Sequence, residues 1–300
     1  MSQRRAKPGL ARNTGRNIVF IVGCPRSGTT WLQRQLACHP AIKTGQESHL
    51  FSDGIAPLLR GWRVSLRNDR AIGLAGYFTQ ERFFEVVHDF LDSLLEPMVA
   101  DLQPGGLFLE KSPAHSRCMR EIVEMLPESR FIHVMRDARD VVASCMEASR
   151  TWGSEWAPRD AQTAADLWLE CVGDVRRAKA HLQPWQFHEV RYEDARRRPQ
   201  RVLKGCADYL ALQWSDEDIE RAVAANTVSA TRASGGTPIP LVGELKKRRG
   251  PSVEEPAGFM RTAAVGRWRK DLTLRDKYRV WRAARSTMAQ TGYRWPFFLC

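Results

Sequence analysis

The chain runs to 300 residues, 43% hydrophobic and 27% charged, which suits one large α/β domain or two small ones and excludes disordered and fibrous classes. Its formal net charge of +12 implies an anionic partner. The basic residues are scattered, however, with no zinc finger, basic zipper or aromatic-rich ribonucleoprotein signature among them, so nucleic acid is not the expected partner.

Residues 1–16 read as a disordered basic arm ahead of a single domain, 17–300. Asn17 to Val22 is a β-branched run of the kind that fills a strand buried on both faces. It breaks at Gly23-Cys24-Pro25 into a loop ending in Gly28-Thr29-Thr30, after which Trp31, Leu32, Leu36 and Ala37 recur at helical spacing. Strand, tight loop and helix in succession aim backbone N–H groups and a helix N-terminus at one spot, which makes a phosphate cradle. His39-Pro40-Ala41-Ile42 and Gly45-Gln46-Glu47-Ser48-His49 follow. A ten-residue helix is roughly 15 Å long and nine extended residues span roughly 30 Å, so Glu47 can return to the loop's end of the strand.

From 54 to 104 the pattern is helical, and Phe83, Val86, Val87, Phe90 and Leu94 form an i, i+3, i+4 stripe expected to face the core. Gly106 to Leu109 predicts a second buried strand, ending at Glu110-Lys111-Ser112-Pro113. A helix over Met119 to Leu126 leads to a strand, Arg130 to Met135, which runs into Arg136 and a helix over Asp137 to Ala148. A long amphipathic helix, about 160–181, precedes the strand Trp185 to Val190 and the turn Arg191-Tyr192-Glu193-Asp194. Residues 233–257, rich in Pro and Gly around the basic run Lys246 to Arg249, are expected to form a mobile lid with that run as a solvated face. Leu274 to Met288 closes the chain as a helix with Tyr278, Trp281, Ala284 and Met288 inward, and no internal repeat is evident.

Strands alternating with helices imply right-handed crossovers and a parallel sheet covered on both faces, a three-layer α/β fold of the P-loop kind. Ligands of such sheets bind beyond the carboxyl ends of the strands. Arg26, Lys111, Arg136 and Tyr192, each just past a predicted strand, should therefore converge.

The seven cysteines are odd in number, widely spaced and free of any C-x-x-C pair, which predicts a reducing, cytoplasmic setting. The basic N-terminus lacks an apolar signal region, and no stretch approaches the ~20 apolar residues of a membrane span. The expectation is a bacterial-type cytoplasmic protein without integral membrane association, or a chain from which an anchor has been removed.

The loop frame G-x-x-x-x-G-T-T departs from the nucleotide-triphosphatase frame G-x-x-x-x-G-K-[ST] at Thr29, where the phosphate-bridging lysine belongs. Arg26 still supplies a cation, so the loop suits a phosphate ester other than a triphosphate. Pro25-Arg26-Ser27-Gly28-Thr29-Thr30-Trp31 as a whole resembles the 5′-phosphosulfate loop of sulfotransferases that use 3′-phosphoadenosine 5′-phosphosulfate (PAPS). Arg136 to Ser144, reading R-D-A-R-D-V-V-A-S, is similar to the family's 3′-phosphate site R-D-x-R-D-x-x-x-S. Alone, that stretch is a salt-bridged helix start; beside a first phosphate loop it reads as a second anion site.

Phe259 to Trp268 resembles the family's F-M-R-K-G-x-x-G-D-W, matching at Arg261, Gly266 and Trp268. Thr262 and Ala263 depart from the Lys-Gly of that pattern, so one 3′-phosphate cation is missing. Tyr192 matches the family tyrosine near the adenine, with a core tyrosine as the alternative. The resemblance thus implies PAPS as co-substrate, and no metal, since no ligand cluster is present.

Cytosolic members of the family place a histidine base in K-T-H, whereas Lys111-Ser112-Pro113 puts proline in that slot, and proline takes no proton. Glu110-Lys111-Ser112-Pro113 instead resembles the E-K-[ST]-P of heparan-type and bacterial relatives that use a glutamate base. His39-Pro40 to Gly45-Gln46-Glu47 is similar to the H-P-x-x-x-x-G-E-E of tyrosylprotein sulfotransferases, whose second glutamate is the base and falls on Glu47. His115 is the rival, with His49 behind it. The implied reaction is sulfuryl transfer from PAPS to a hydroxyl of a carbohydrate, lipid, phenol or small alcohol, with Glu47 as base and Arg26 and Lys111 neutralising the departing phosphate. Two other classes stay open: a P-loop kinase-like phosphotransferase, which the missing lysine and Mg²⁺-binding aspartate disfavour, and a non-catalytic binder of anions or glycans.

Overall fold

The computed structural model describes residues 12–68, 72–227, 229, 239–240, 246–248, 252–253 and 264–295. Its strands are β1 (Ile18–Val22), β2 (Ile42–Thr44), β3 (Leu107–Lys111), β4 (Arg130–Met135) and β5 (Phe187–Arg191). They pair in the order β2-β3-β1-β4-β5, every pair parallel. All five residues of central β1 are buried, as expected of a strand covered on both faces.

Side chains alternate across that strand, so each face of the sheet collects its own core. Val19 and Ile21 join α1 (Thr29–Leu36), α8 (Pro199–Leu210) and α9 (Asp216–Ala225) through Leu32, Leu203 and Ile219. Ile18, Phe20 and Val22 join α2 (Ala56–Leu66), α3 (Gln80–Val99) and α4 (Met119–Met125) through Leu59, Phe83 and Ile122. A third cluster packs α5 (Ala138–Ser149), α6 (Ala161–Lys179) and α11 (Leu274–Gln290) around Trp168 and Val280. Two short helices, α7 (Tyr192–Arg197) and α10 (Trp268–Asp271), sit at the site end of the molecule. The mixed α/β architecture with a parallel sheet between helix layers is the one expected.

Several details differ from expectation. Strand β3 runs to Lys111 rather than ending at Leu109, pairing Phe20 with Glu110 and Ile21 with Lys111; these charges stay in the ladder because each finds a buried partner, described below. On α3 the buried row is Phe83, Val87, Leu91 and Leu95, whereas Val86, Phe90 and Leu94 are 42%, 52% and 37% exposed. Two apolar rows lie side by side on that helix, and Trp62, stacked on Phe83 at 4.1 Å, covers only one. On α11 the inner face is Lys277, Val280, Ala284 and Met288. Tyr278 and Trp281 stack on each other instead, with Tyr278 exposed.

Strand β2 and helices α8 and α9 were not expected from the sequence. Within the expected arm, the Asn13 N–H donates to Asp92 (3.0 Å) and the Glu128 N–H to the Thr14 carbonyl (2.8 Å); residues 1–11 lie outside the described residues. Of the expected lid, Ile239–Pro240 and Ser252–Val253 form a two-stranded antiparallel ribbon and residues 246–248 are exposed. The rest of 233–257 lies outside the described residues.

Candidate active site

The carboxyl ends of β1, β3, β4 and β5 open onto one cavity of about 600 Å³. The loop after β1 supplies its floor. Arg26 sits at φ 71° and Gly28 at φ 96°, turning the chain so that α1 begins with no side-chain cap on its first N–H groups. Those donors and the helix N-terminus favour an anion. A Cβ at Gly28 would lie 2.3 Å from the Tyr192 ring, so glycine is what lets the tyrosine close over the loop.

Arg136, at the end of β4, is the hub of this end of the site. It donates from Nη1 to the Arg26 carbonyl (2.9 Å) and from Nη2 to the Ala264 carbonyl (3.2 Å), and lies 4.2 Å over the Tyr192 ring. The Arg26 side chain reaches across to α5, its Nε donating to Ser144 Oγ (3.0 Å) and its guanidinium 5.0 Å over Trp152. Arg26, Arg136 and Tyr192 therefore meet, as the strand-end rule predicts, with Ser144 of α5 beside them; Lys111, expected among them, is the last residue of β3, buried and absent from the cavity wall. Arg261, Thr262 and Ala263 lie outside the described residues, but the chain just after them is fastened to the same helix. Asp140 accepts the Gly266 N–H (2.7 Å) and the Trp268 N–H (3.0 Å).

Lys111 is almost fully buried and forms an ion pair with Glu47 Oε1, while His49 Nε2 lies 3.3 Å from Glu47 Oε2. Glu47 and His49 both line the cavity. Burial pushes the Glu47 carboxyl up, but the His49 hydrogen bond and the Lys111 charge outweigh it and hold the group below the usual carboxylate range. His49 is held above its own usual range, mainly by the hydrogen bond to Glu47.

His115 occupies a different environment. It is fully buried and absent from the cavity wall. The Phe51 N–H donates to its Nε2 (3.1 Å), so the ring carries its proton on Nδ1 and donates it to Glu110 Oε2 (2.8 Å). Glu110 Oε1 accepts from the Ser48 N–H (3.2 Å) and from the Ser48 and Ser112 hydroxyls (2.7 Å each). Burial pushes the Glu110 carboxyl up, yet His115 and the two hydroxyls bring it down to about 2.

The cavity suits a phosphorylated nucleotide on the residues present. Trp31 Nε1 and Arg136 Nε are buried donors without a hydrogen-bond partner among the described residues, and both residues line the wall. No cluster of metal-ligating side chains occurs among the described residues. The family model described as "Sulfotransferase family" matches residues 18–216, more than half of the chain.

The chain belongs to the sulfotransferase family.

This sulfotransferase is 26% identical over 202 residues to the Danio rerio protein-tyrosine sulfotransferase 1, a match covering 66% of this chain and 54% of that protein. It spans 39% of the length of the Drosophila melanogaster protein-tyrosine sulfotransferase, at 23% identity. Its fold matches the sulfotransferase domain of the Synechococcus PCC 7002 olefin synthase, with TM-score 0.56 and 19% identity, covering 98% of this chain and 100% of that one.

Sequence reasoning did not single out Asp140, Glu147, Trp152 or Arg267, all of which line the cavity. For Asp140 and Glu147 the signal was periodicity from Ser144: Asp140, Ala143, Ser144, Glu147 and Ala148 share one face of α5 and line the cavity together; Trp152 and Arg267 lie outside that helix.

Proposed function

We propose that this sulfotransferase moves the sulfuryl group of PAPS to a hydroxyl acceptor, with Glu47 taking the acceptor's proton. The observation that carries this reading is the Glu47 carboxylate, which is paired with Lys111 and lines the same cavity as the phosphate loop, Arg136 and Ser144. The acceptor oxygen bonds to sulfur as the sulfur–oxygen bond to the 5′-phosphate breaks, and that phosphate keeps the electron pair. Arg26, Lys111 and the N–H groups of the loop neutralise its charge. Arg136 and Ser144 hold the 3′-phosphate, Trp31 and Tyr192 flank the base, and Pro25, Ser27, Thr29 and Thr30 shape the loop. Sulfuryl transfer needs mainly positioning and neutralisation, and a well-placed base adds about 10²–10⁴-fold.

Glu47 is preferred to His115 because His115 has both ring nitrogens engaged by protein groups and is buried away from the cavity. A cytoplasmic setting is supported by the six described cysteines, all free thiols. No helix among the described residues is long and apolar enough to cross a membrane. Turnover of sulfur-labelled PAPS against a panel of acceptors tests the reading. The panel holds a tyrosine peptide, since relatives are named protein-tyrosine sulfotransferases, together with simple phenols, alcohols, lipids and sugars. Labelled product with at least one acceptor is expected; nucleotide binding with no product from any would favour a non-catalytic binder.

A further inference from the structure

His49 has φ 50° and ψ 16°, a left-handed conformation uncommon outside glycine. The segment around it is pinned so that this conformation persists. The His49 N–H donates to Ser112 Oγ (3.2 Å), the Ser48 N–H and hydroxyl to Glu110, and the Phe51 N–H to His115. The result turns the imidazole back onto Glu47, with Nε2 3.3 Å from Oε2. On its other side, Nδ1 lies 3.3 Å from Ser52 Oγ and 4.0 Å from Asp53 Oδ1, a carboxylate that is 76% exposed. Glu47 and His49 thus share the cavity wall, and the exposed Asp53 carboxylate stands on the Nδ1 side of the imidazole.

Lys111 pairs with Oε1 of Glu47, so Oε2, which faces His49 Nε2, is the oxygen placed to take the acceptor's proton. We propose that Glu47 and His49 work as a relay dyad: the acceptor's proton passes to Glu47 Oε2, then to His49 Nε2, and leaves from the Nδ1 side past Asp53 to water. The inference rests on the reading of Glu47 as base. Heavy-atom chemistry is unchanged: neutral His49 carries its resting proton on Nδ1, beside Ser52 Oγ, so Nε2 gains the proton from Glu47 as Nδ1 gives up its own, and one proton leaves for each that the acceptor hydroxyl loses. The depressed Glu47 and elevated His49 titrations agree with this direction of travel. The charged or titratable groups facing His49 are Glu47, Asp53 of the π-helical stretch Leu50–Ile55, and Glu110 on β3. Lys111 stands beyond Glu47, and Arg117 lies on the same cavity wall.

The competent form carries an ionised Glu47 and a neutral His49, so kcat/KM must rise with pH through the His49 titration. His49→Asn removes the relay while suiting a left-handed backbone, and His49→Gln serves as a second variant. In the full chain without acceptor, NMR titration of the His49 ring should give a value above the ordinary ~6.5, returning towards it in Glu47→Gln. A value that Glu47→Gln does not move overturns the dyad. In PAPS turnover, His49→Asn should lower kcat by roughly 10-fold, less than the about 10²–10⁴-fold of the base itself, and move the acid limb from the histidine range to the carboxylate range. Affinity for adenosine 3′,5′-bisphosphate should stay within about twofold. An unmoved acid limb beside an inactive Glu47→Gln removes the relay but keeps Glu47; a fully active Glu47→Gln removes the reading beneath both.

Discussion

The ring of Tyr192, at the start of α7, lies against Gly28 at the start of α1, and the space a β-carbon would need there is 2.3 Å from its Cδ2. Two strand ends, β1 and β5, are locked together by this contact. Gly28→Ala must displace Tyr192 and also hold alanine at φ 96°, a strain of about 1–3 kcal/mol. Denaturant unfolding should show that loss and calorimetry a weakened affinity for adenosine 3′,5′-bisphosphate. Adding Tyr192→Ala should restore part of the stability, because it relieves the clash though not the backbone strain. Full stability in Gly28→Ala alone would refute the contact.

Arg136 provides the second prediction. Its guanidinium stands where a 3′-phosphate is expected, and charge-assisted hydrogen bonds are worth about 1.5–3 kcal/mol. Arg136→Ala should weaken adenosine 3′,5′-bisphosphate roughly 10- to 100-fold and AMP far less, since only the former has a 3′-phosphate to lose. Equal losses for both would mean that Arg136 matters through its bonds to the Arg26 and Ala264 carbonyls and not through the ligand.

Much of this site was legible in the sequence, and the physical reason is the strand-end rule. Strand β4 was read to the residue, and β1 to within one, because runs dominated by apolar residues mark strands buried on both faces. Arg26, Arg136 and Tyr192 followed by position alone. Glu110 and Lys111 were misplaced into a loop because charge is normally a stop signal, and only their partners Ser48, Ser112, His115 and Glu47 keep them in the ladder. The two apolar rows of α3 could not be ranked, since periodicity fixes a helix face and not its neighbour. Nothing in the sequence reported the left-handed turns at Arg26 and His49, which aim one side chain at Ser144 and the other at Glu47. His115 looked available as a base because sequence does not reveal burial.

The Glu110 network predicts a particular acid sensitivity. Its folded value of about 2 lies below the ordinary carboxylate range, so the stabilisation is fully present above that range and is lost as pH falls towards 2. The linkage is on the order of 3 kcal/mol. Glu110→Gln should be less stable than the native chain at neutral pH, with a flatter stability profile between about pH 5 and pH 2 by urea unfolding. Parallel profiles would show that Glu110 is not ionised in the fold.

Asp140 holds the Gly266 and Trp268 N–H groups, and through them the chain that follows Arg261. Asp140→Ala leaves those donors without their acceptor, at about 1–3 kcal/mol for a buried group. Affinity for adenosine 3′,5′-bisphosphate should fall with kcat little changed at saturating PAPS. A kcat defect with normal affinity would contradict a purely anchoring role.

Turnover of labelled PAPS by Glu47→Gln tests the central claim most directly, measured beside His115→Ala with adenosine 3′,5′-bisphosphate affinity as the control. Glutamine keeps the shape and most hydrogen bonds of Glu47 but accepts no proton at neutral pH. If Glu47 is the base, kcat falls roughly 100-fold or more while nucleotide affinity survives, and His115→Ala loses mainly stability. Near-normal kcat in Glu47→Gln, alongside a folded but inactive His115→Ala, would contradict the account and move the base to His115.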